Sequence, residues 1–213
     1  MNAAIISNGA IEDYNKIKTI IKKGYDFIVC ADGGARHAFE MNVIPDLIVG
    51  DFDSIPFETA DYYNKKGIET DIFSKKKDYT DTHLAVESAI KRNARKIGLF
   101  GCRGTRADHT LANIQLLFYL RRNHCKGALI DEYNEIFLSE DKNVIQGEVG
   151  QIISLISVSP VTEGVTLKGF LYPLENATIR REDSIGISNE LICKEGSLYK
   201  KEGDLLIIKS YGE

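Results

Sequence analysis

The chain has 213 residues, of which 43% are hydrophobic, a size and composition typical of a globular protein with one large or two small domains. These values exclude a disulfide-stapled miniprotein and a disordered tail. Its 27 Lys and Arg residues are set against 31 Asp and Glu residues, a formal net charge of −4, which argues against a basic face that follows nucleic acid. We therefore expect a small-molecule partner and no nucleic acid.

The sequence predicts neither a membrane segment nor a secretory leader. No run reaches the roughly 18 consecutive apolar residues of a spanning helix, and Met1–Gly9 lacks the basic and apolar regions of a signal peptide. The cysteines form no CxxC pair, so free thiols are expected rather than disulfides or a zinc site. We expect a cytoplasmic protein, because free thiols are typical of reducing compartments.

The first part of the chain, residues 1–133, alternates short apolar runs with longer amphipathic stretches. The apolar runs predict strands at Ala3–Ser7, Phe27–Ala31, Leu47–Gly50, Lys96–Gly101 and Ala128–Asp131. The amphipathic stretches predict helices at Ile11–Lys23, Glu58–Lys66, Thr80–Asn93 and Asp108–Arg122. This alternation predicts an α/β domain with a mostly parallel, Rossmann-like sheet.

The second part, residues 134–213, contains short runs rich in Ile, Val and Leu that are separated by turn signals. These runs predict strands at Glu135–Leu138, Gln151–Ser159, Val165–Lys168, Leu191–Lys194 and Leu205–Lys209. They predict an antiparallel β-sandwich or barrel as a second domain.

Acidic residues follow two predicted strands of the first domain, where ligands bind in open parallel sheets. Asp32-Gly33-Gly34 follows one strand, and Asp51-Phe52-Asp53 follows the next. If the second segment is extended, Asp51 and Asp53 leave the chain on the same side and repel each other. A hard cation such as Mg²⁺ would remove that repulsion. The alternative is that these acids only solvate a loop.

The segment Lys75-Lys76-Lys77-Asp78-Tyr79-Thr80-Asp81 leads into a predicted helix. In one interpretation, Asp78 is the N-cap and Asp81 is the third helical residue, where its charge favours the helix dipole. In the other, Asp81 joins Asp51 and Asp53 as a metal ligand while a lysine meets phosphate. The two interpretations are compatible.

A glycine-rich segment, Gly101 to Asp108, connects a strand to a helix and carries Arg103 and Arg106. A helix N-terminus with arginines before it suits an anionic phosphate, although the sequence is neither a Walker A loop nor a GxGxxG fingerprint. His109 and Asn113 lie on one face of that helix and are better interpreted as a structural pair than as proton-transfer groups.

The second domain offers one weaker candidate site. Tyr172 beside Pro173, with Ser188 and Asn189 further along, suits a platform for a flat heterocycle with hydrogen bonds at its edge. Tyr172 as a core residue, with Ser188-Asn189 as a simple turn, is the alternative.

The order of these motifs resembles bacterial thiamine pyrophosphokinases from Asp32 to Glu190: ADGGA, PDLIVGDFDS, KKKDYTD, GCRGTRADHTLAN, GFLYPLENATI and GISNE. The resemblance implies an α/β domain followed by a β-sandwich. It also implies transfer of a pyrophosphoryl group from ATP to the hydroxyl of thiamine, giving thiamine diphosphate and AMP with Mg²⁺. The family's homodimers place the active site between the α/β domain of one subunit and the sandwich of the other.

The resemblance also assigns roles to individual residues. It implies that Asp51, Asp53 and Asp81 bind metal and are catalytic together with Arg106 and Asp108. The residues assigned to the ATP side are Asp32, Gly33, Gly34, Lys77, Asp78, Arg103, Gly104 and Asn113. The thiamine side takes Tyr172, which stands where other members have tryptophan, with Ser188 and Asn189. The acceptor of the thiamine hydroxyl proton stays open between Asp81 and Asp108.

Two other functions remain as alternatives. LIVGDFDSI resembles the strand and DxD signature of haloacid-dehalogenase-like phosphatases, in which Asp51 would be the nucleophile. Such a fold needs a late acidic pair that the β-rich second half does not offer. The other alternative is a non-catalytic sensor of thiamine or nucleotide, which would not require several converging carboxylates.

Overall fold

The computed structural model describes residues 1–74 and 78–212. The chain divides into two compact units, Met1–Glu132 and Tyr133–Glu213. Within the described ranges, every helix is too short or too polar to cross a membrane.

The first unit is an α/β fold built on one parallel sheet, as the sequence predicts. Its strands are β1 (Asn2–Ile6), β2 (Phe27–Ala31), β3 (Leu47–Gly50), β4 (Glu69–Ile72), β5 (Lys96–Phe100) and β6 (Lys126–Ile130). Its helices are α1 (Tyr14–Gly24), α2 (Gly34–Glu40), α3 (Phe57–Lys66), α4 (Asp81–Lys91) and α5 (Ala107–Arg122). The strand order is β6-β5-β1-β2-β3-β4, and every pair in it is parallel.

The helices are held on this sheet by apolar side chains at helical spacing. Ile17 and Ile21 of α1 are buried in one cluster with Ile6 of β1 and Phe100 of β5. Each such side chain contributes about 1.5–3 kcal/mol of transfer free energy when it is fully buried. The amphipathic patterns therefore predicted these helices correctly, because each pattern has a matching apolar sheet face.

Two elements of this unit escape the sequence patterns. Helix α2 begins at Gly34, where an added Cβ would lie 2.0 Å from the carbonyl oxygen of Ile6, so only glycine allows the helix to approach β1. Strand β4 has the sequence ETDI and lies at the edge of the sheet, where its side chains are largely exposed. Because it has no second buried face, it lacks the apolar run that marks the inner strands.

The strand order places a topological switch point at β1. The chain runs from β1 to its neighbour β2 on one side, whereas β5 pairs with β1 on the other side. The loops that follow β1 and β5 therefore diverge at the carboxyl edge of the sheet. A crevice at such a point is the usual ligand site of an open α/β sheet.

The second unit is an antiparallel β-sandwich, which confirms the predicted fold class. Its strands are β7 (Asn134–Leu138), β8 (Lys142–Gln146), β9 (Ile152–Ser157), β10 (Val161–Lys168), β11 (Leu174–Arg180), β12 (Asn189–Glu190), β13 (Glu195–Tyr199) and β14 (Leu205–Ser210). They form two sheets, β12-β9-β14-β7 and β11-β10-β13-β8. Leu155 and Ile207 of one sheet share a buried core with Leu167 and Leu198 of the other.

One strand of this unit was predicted in the wrong place. Residues 192–194 form a bend between β12 and β13, and Leu191 makes only an isolated antiparallel bridge with Phe170. Leu191 is still buried in the core, and its amide donates to the carbonyl of Gln151. The short apolar run therefore marks a buried turn, which periodicity alone does not distinguish from a strand.

Candidate active site

A cleft of about 600 Å³ opens in the first unit at the switch point between β1 and β5. Its volume is that of a typical small-molecule site. The lining residues come from the segments after β1, β2, β3 and β5 and from the start of α4 and α5: Ser7 to Ala10, Ala31, Asp32, Ser54, Thr80 to Thr82, Gly101 to Arg106, His109 and Asn113.

A cluster of three carboxylates lies at the edge of the cleft, which Asp32 lines and Asp51 and Asp53 do not. Asp32, Asp51 and Asp53 each offer an oxygen, and these oxygens lie within 4.8 Å of one another. The segment at Asp51 is not extended as expected. Instead, Phe52 has φ +68°, which turns the chain so that Asp53's amide donates to Asp51 Oδ1 at 3.3 Å. Left-handed backbone at a residue other than glycine is strained, and it is typical of functional sites.

Asp32 is the most buried member of the cluster, with 8% of its surface exposed. Burial raises the pKa of its carboxyl group, and the charges of Asp81 and Asp51 raise it further, while hydrogen bonds from Ser54 and Gly33 lower it. In the part of the chain that the structure describes, Asp32 Oδ1 is buried without a hydrogen-bond partner. A hard divalent cation would satisfy that oxygen and relieve the repulsion, so the donor set fits Mg²⁺.

Asp81 lines the same cleft, from the first residue of α4. It lies outside the described group of three converging carboxylates, which has Asp32 in the place predicted for Asp81. The predicted cap is wrong, because Thr80 is the N-cap and its hydroxyl accepts from the His83 amide. Asp78 precedes this turn, is exposed and does not line the cleft. The predicted phosphate contact of Lys77 lies outside the described residues.

The cleft also has basic lining residues. Arg103, Gly104 and Arg106 line it in the loop after β5. Asp108, which is exposed and does not line the cleft, binds the Arg106 guanidinium through two contacts, Nε to Oδ1 at 3.2 Å and Nη2 to Oδ2 at 2.6 Å. The Arg106 guanidinium lowers the pKa of the Asp108 carboxyl to about 2.

The floor of the cleft is a network of buried polar groups. Asn113, predicted on the ATP side, is buried, and its Nδ2 donates to the Cys102 carbonyl at 2.9 Å, so it holds the loop after β5. The hydroxyls of Ser7 and Thr82 lie 2.9 Å apart and join the end of β1 to α4. His109 is exposed and lines the cleft.

One segment that lines the cleft was not predicted from the sequence, and two glycines have a different role from the predicted one. Ser7-Asn8-Gly9 was not singled out, although it follows a predicted strand, the same signal that found the acids. Gly33 and Gly34 do not line the cleft, and their missing Cβ atoms let Asn8 and the Ile6 carbonyl approach. Both glycines therefore shape the site by packing.

The residues predicted on the thiamine side lie together in the second unit. The Tyr172 side chain is not in the core, since the residue is 61% exposed. Asn189 is only 3% exposed, and its amide exchanges two hydrogen bonds with the Tyr172 backbone, Oδ1 from N at 3.0 Å and Nδ2 to O at 2.8 Å. Ser188 is exposed with φ +53°, and its amide donates to Ser154 Oγ. Asn189 thus holds the segment that presents the tyrosine ring.

Comparison with known families and proteins gives consistent matches across both units. The family model "Thiamin pyrophosphokinase, catalytic domain" matches residues 19–129, and "Thiamin pyrophosphokinase, vitamin B1 binding domain" matches residues 140–198. A thiamine pyrophosphokinase of Bacillus subtilis is 35% identical over 181 residues, covering 84% of this chain and 85% of the relative. Thiamine pyrophosphokinase 1 of Oryza sativa subsp. japonica is 29% identical over 205 residues, covering 84% and 76%.

Solved structures agree with these sequence matches. The Bacillus subtilis thiamine pyrophosphokinase superposes with a TM-score of 0.88 at 30% identity, covering 99% of each chain. The Geobacillus thermodenitrificans thiamin pyrophosphokinase gives 0.86 at 29% identity, covering 100% of this chain and 99% of the other. The yeast thiamin pyrophosphokinase, at 18% identity, shares the fold with a TM-score of 0.83 over 99% and 86%. The chain belongs to the thiamin pyrophosphokinase family.

Proposed function

We propose that the protein transfers a pyrophosphoryl group from ATP to the hydroxyl oxygen of thiamine, giving thiamine diphosphate and AMP in a Mg²⁺-dependent reaction. The observation that carries the proposal is that one cleft is lined by Asp32, Arg103 and Arg106. Asp32 Oδ1 is buried without a hydrogen-bond partner in the described residues, and Asp32 converges with Asp51 and Asp53. Transfer of this kind requires positioning and neutralisation of anionic oxygens rather than covalent chemistry by the protein.

The acidic side of the cleft is assigned to the metal. Asp32, Asp51 and Asp53 would hold Mg²⁺ through their converging oxygens, and Asp81 adds a fourth carboxylate from α4. When bound, Mg²⁺ supplies positive charge against the oxygens of the polyphosphate. The acids themselves fix the distance between that charge and the arginines, because they stand on the ends of neighbouring strands.

The basic side is assigned to the phosphates. Arg103 and Arg106 reach the cleft from the loop after β5, and guanidinium groups bind phosphate through paired N–H donors. A carboxylate with a pKa of about 2 is a weak base, so Asp108 suits orientation of Arg106 better than acceptance of the thiamine proton. Asp81 could accept that proton only if it does not bind the metal, because a metal-bound carboxylate is a poor base.

The thiamine side is assigned to the second unit. The exposed ring of Tyr172 offers an aromatic surface to a flat cation, and Ser188 offers an exposed hydroxyl nearby in the fold. Asn189 positions Tyr172 through the two backbone contacts described above. The acids of the first unit also favour a cationic substrate over a neutral one.

We further propose that the protein is a cytoplasmic homodimer whose active sites lie at the subunit interface. Support comes from the sheet β12-β9-β14-β7, in which Phe137 and Ile207 face the core and alternate with Ile136 and Ile208 on the opposite face. Those two side chains are only partly buried, and an apolar sheet face of this kind suits contact with a second chain. The four free cysteines are consistent with a reducing compartment.

A product assay tests the proposed activity. The purified protein is incubated with thiamine, ATP and Mg²⁺, and nucleotides and thiamine esters are separated and quantified. We expect AMP and thiamine diphosphate in equal amounts, and no turnover when Mg²⁺ is removed with a chelator. Formation of ADP, or binding of both substrates without turnover, would contradict the proposal. The family matches support neither the phosphatase nor the sensor alternative.

A mixing experiment tests the shared site. We expect an Asp51→Asn variant to be defective in the metal-binding part of the site and a Tyr172→Ala variant to be defective in the thiamine-binding part. If each site uses the first unit of one subunit and the second unit of its partner, exchange between the two variants restores part of the activity. No recovery after subunit exchange has been demonstrated by mass would place each site within a single chain.

A further inference from the structure

A further carboxylate, Asp131, lies at the carboxyl edge of the parallel sheet and takes no direct part in the proposed reaction. Asp131 directly follows β6, and its side chain is 6% exposed. Its Oδ2 lies 3.1 Å from Nε of Arg103, which lines the cleft from the loop after β5. Asp131, which does not line the cleft, thus contacts the guanidinium of a residue that does.

This contact has a clear electrostatic reason. A carboxylate removed from water is costly unless a positive charge and hydrogen bonds compensate it. Arg103 supplies that charge, and its own side chain stays 43% exposed on the cleft side. The ion pair therefore joins a buried carboxylate to a guanidinium that faces solvent.

The ion pair also restrains the position of the guanidinium. Asp131 Oδ2 attracts the Nε end of the group from 3.1 Å and so holds the side chain near β6. The backbone of Arg103 is held as well, because its carbonyl accepts from the Ala10 amide at 2.6 Å. With main chain and Nε both anchored, Arg103 loses the rotamer freedom that a surface arginine ordinarily has.

We propose that Asp131 is a positioning residue that aims the Arg103 guanidinium at the polyphosphate of ATP. The proposal rests on the pyrophosphokinase function described above and deepens its ATP side. Pre-orienting a phosphate-binding arginine lowers the conformational-entropy cost of ATP binding. Asp131 acts through Arg103, so its contribution disappears when Arg103 is replaced.

The neighbouring Glu132 provides a matched control. It is also a buried carboxylate at the end of β6, with 3% exposure. Its Oε1 accepts from the amides of Glu12 at 2.6 Å and Asp13 at 3.1 Å, at the start of α1, and it does not line the cleft. Its loss removes one buried charge from the same strand end without touching Arg103.

The test compares steady-state kinetics of Asp131→Asn, Arg103→Lys, the double variant and Glu132→Gln in the full-length protein. We expect Asp131→Asn to raise KM for ATP about tenfold, with kcat and KM for thiamine changed less than about twofold. Arg103→Lys should raise KM for ATP similarly, because an ammonium cannot bind Asp131 and phosphate as a fork. The double variant should equal Arg103→Lys, while Glu132→Gln should lower Tm and leave KM for ATP unchanged.

Three results would overturn the positioning role. A lower KM for ATP in Asp131→Asn would show that Asp131 only weakens the positive field of the cleft. Equal effects of Asp131→Asn with and without Arg103 would show that it does not act through Arg103. If Asp131→Asn changes KM for ATP and KM for thiamine equally, the fold is damaged in general, and the affinity of Arg103→Lys for Mg-ADP is measured by titration instead. Arg103→Lys keeps Asp131, so an unchanged affinity for Mg-ADP in this variant also overturns the positioning role. If the wild-type protein makes no thiamine diphosphate, the proposed function fails first.

Discussion

Polar side chains at the end of the parallel sheet differ from those in the sandwich in whether the protein itself satisfies their hydrogen-bonding atoms. In the first unit, Asp32, Asp51 and Asp53 are left with converging oxygens, one of them buried without a partner in the described chain. In the second unit, the buried amide of Asn189 is used by the backbone of Tyr172 and Glu190. Unsatisfied polar atoms indicate where a ligand completes the structure, whereas satisfied ones indicate a scaffold that presents another side chain.

The strongest effect should come from a change in the carboxylate cluster. Asp51→Asn should reduce kcat by about 10³-fold or more, because it removes one of the carboxylates that we propose to hold Mg²⁺. The metal-free protein should keep or raise its Tm, since one of several crowded negative charges is lost. Thermal unfolding in a chelator and the product assay measure both quantities. Asp61→Asn, which removes an exposed acid paired with Lys65, is the control and should change neither. A large drop in metal-free Tm would mean that Asp51 is structural.

The next effect tests the presented side chain. Tyr172→Ala should raise KM for thiamine about tenfold and leave KM for ATP unchanged, because stacking on an aromatic ring contributes about 1–3 kcal/mol. Because Tyr172 is 61% exposed, Tm should change little. Tyr172→Phe keeps the ring and should bind thiamine normally. An unchanged KM for thiamine in Tyr172→Ala would remove the tyrosine from the site.

A smaller effect tests the satisfied amide. Asn189→Ala should lower the free energy of unfolding by about 1–3 kcal/mol, because backbone groups of Tyr172 lose buried partners. KM for thiamine should rise together with that loss, since Tyr172 is no longer held. Denaturant unfolding and kinetics on the same preparation measure both. Ser188→Ala, at an exposed neighbouring position, should leave the unfolding free energy nearly unchanged. Full stability in Asn189→Ala would contradict the scaffold role.

The smallest effect concerns a buried histidine beneath the cleft. His37 Nε2 lies 2.8 Å from the Gly9 carbonyl and therefore donates to it, so Nδ1 accepts from Tyr14 Oη at 2.9 Å. Burial lowers the pKa of His37 below its usual value. The unfolded chain therefore takes up a proton first, and stability present above about pH 6.5 is lost as pH falls through the lower folded pKa.

Replacing this histidine tests that sign. His37→Gln should flatten the loss of Tm below about pH 6.5, with some slope remaining because burial also lowers the pKa of His83. Thermal unfolding across that pH range makes the measurement. The exposed His124 gives the control, His124→Gln. A steeper acid dependence in His37→Gln would show that protonated His37 stabilises the fold.

Much of the site was visible in the sequence because strand ends are easy to locate. The apolar runs before Asp32 and Asp51 predicted the strands, and parallel strands bring their carboxyl ends to one edge. The convergence of Asp32 with Asp51 and Asp53 was not predictable. It depends on a left-handed turn at Phe52 and on the depth at which Asp32 is buried, and neither has a local sequence signal.

We could predict the two-part architecture, the family and the set of acids and arginines from the sequence, because hydrophobic periodicity and motif order are properties of the linear chain. Which of these side chains remain available to a ligand depends on contacts that exist only in the folded protein. Asn113 and Asn189 have the same chemistry as binding residues, yet both are buried and hold backbone groups. The contact between Asp131 and Arg103 depends on the pairing of β5 with β6, which brings the ends of the two strands together. Such roles depend on which atoms meet across the fold, and that information is spread over residues far apart in the chain.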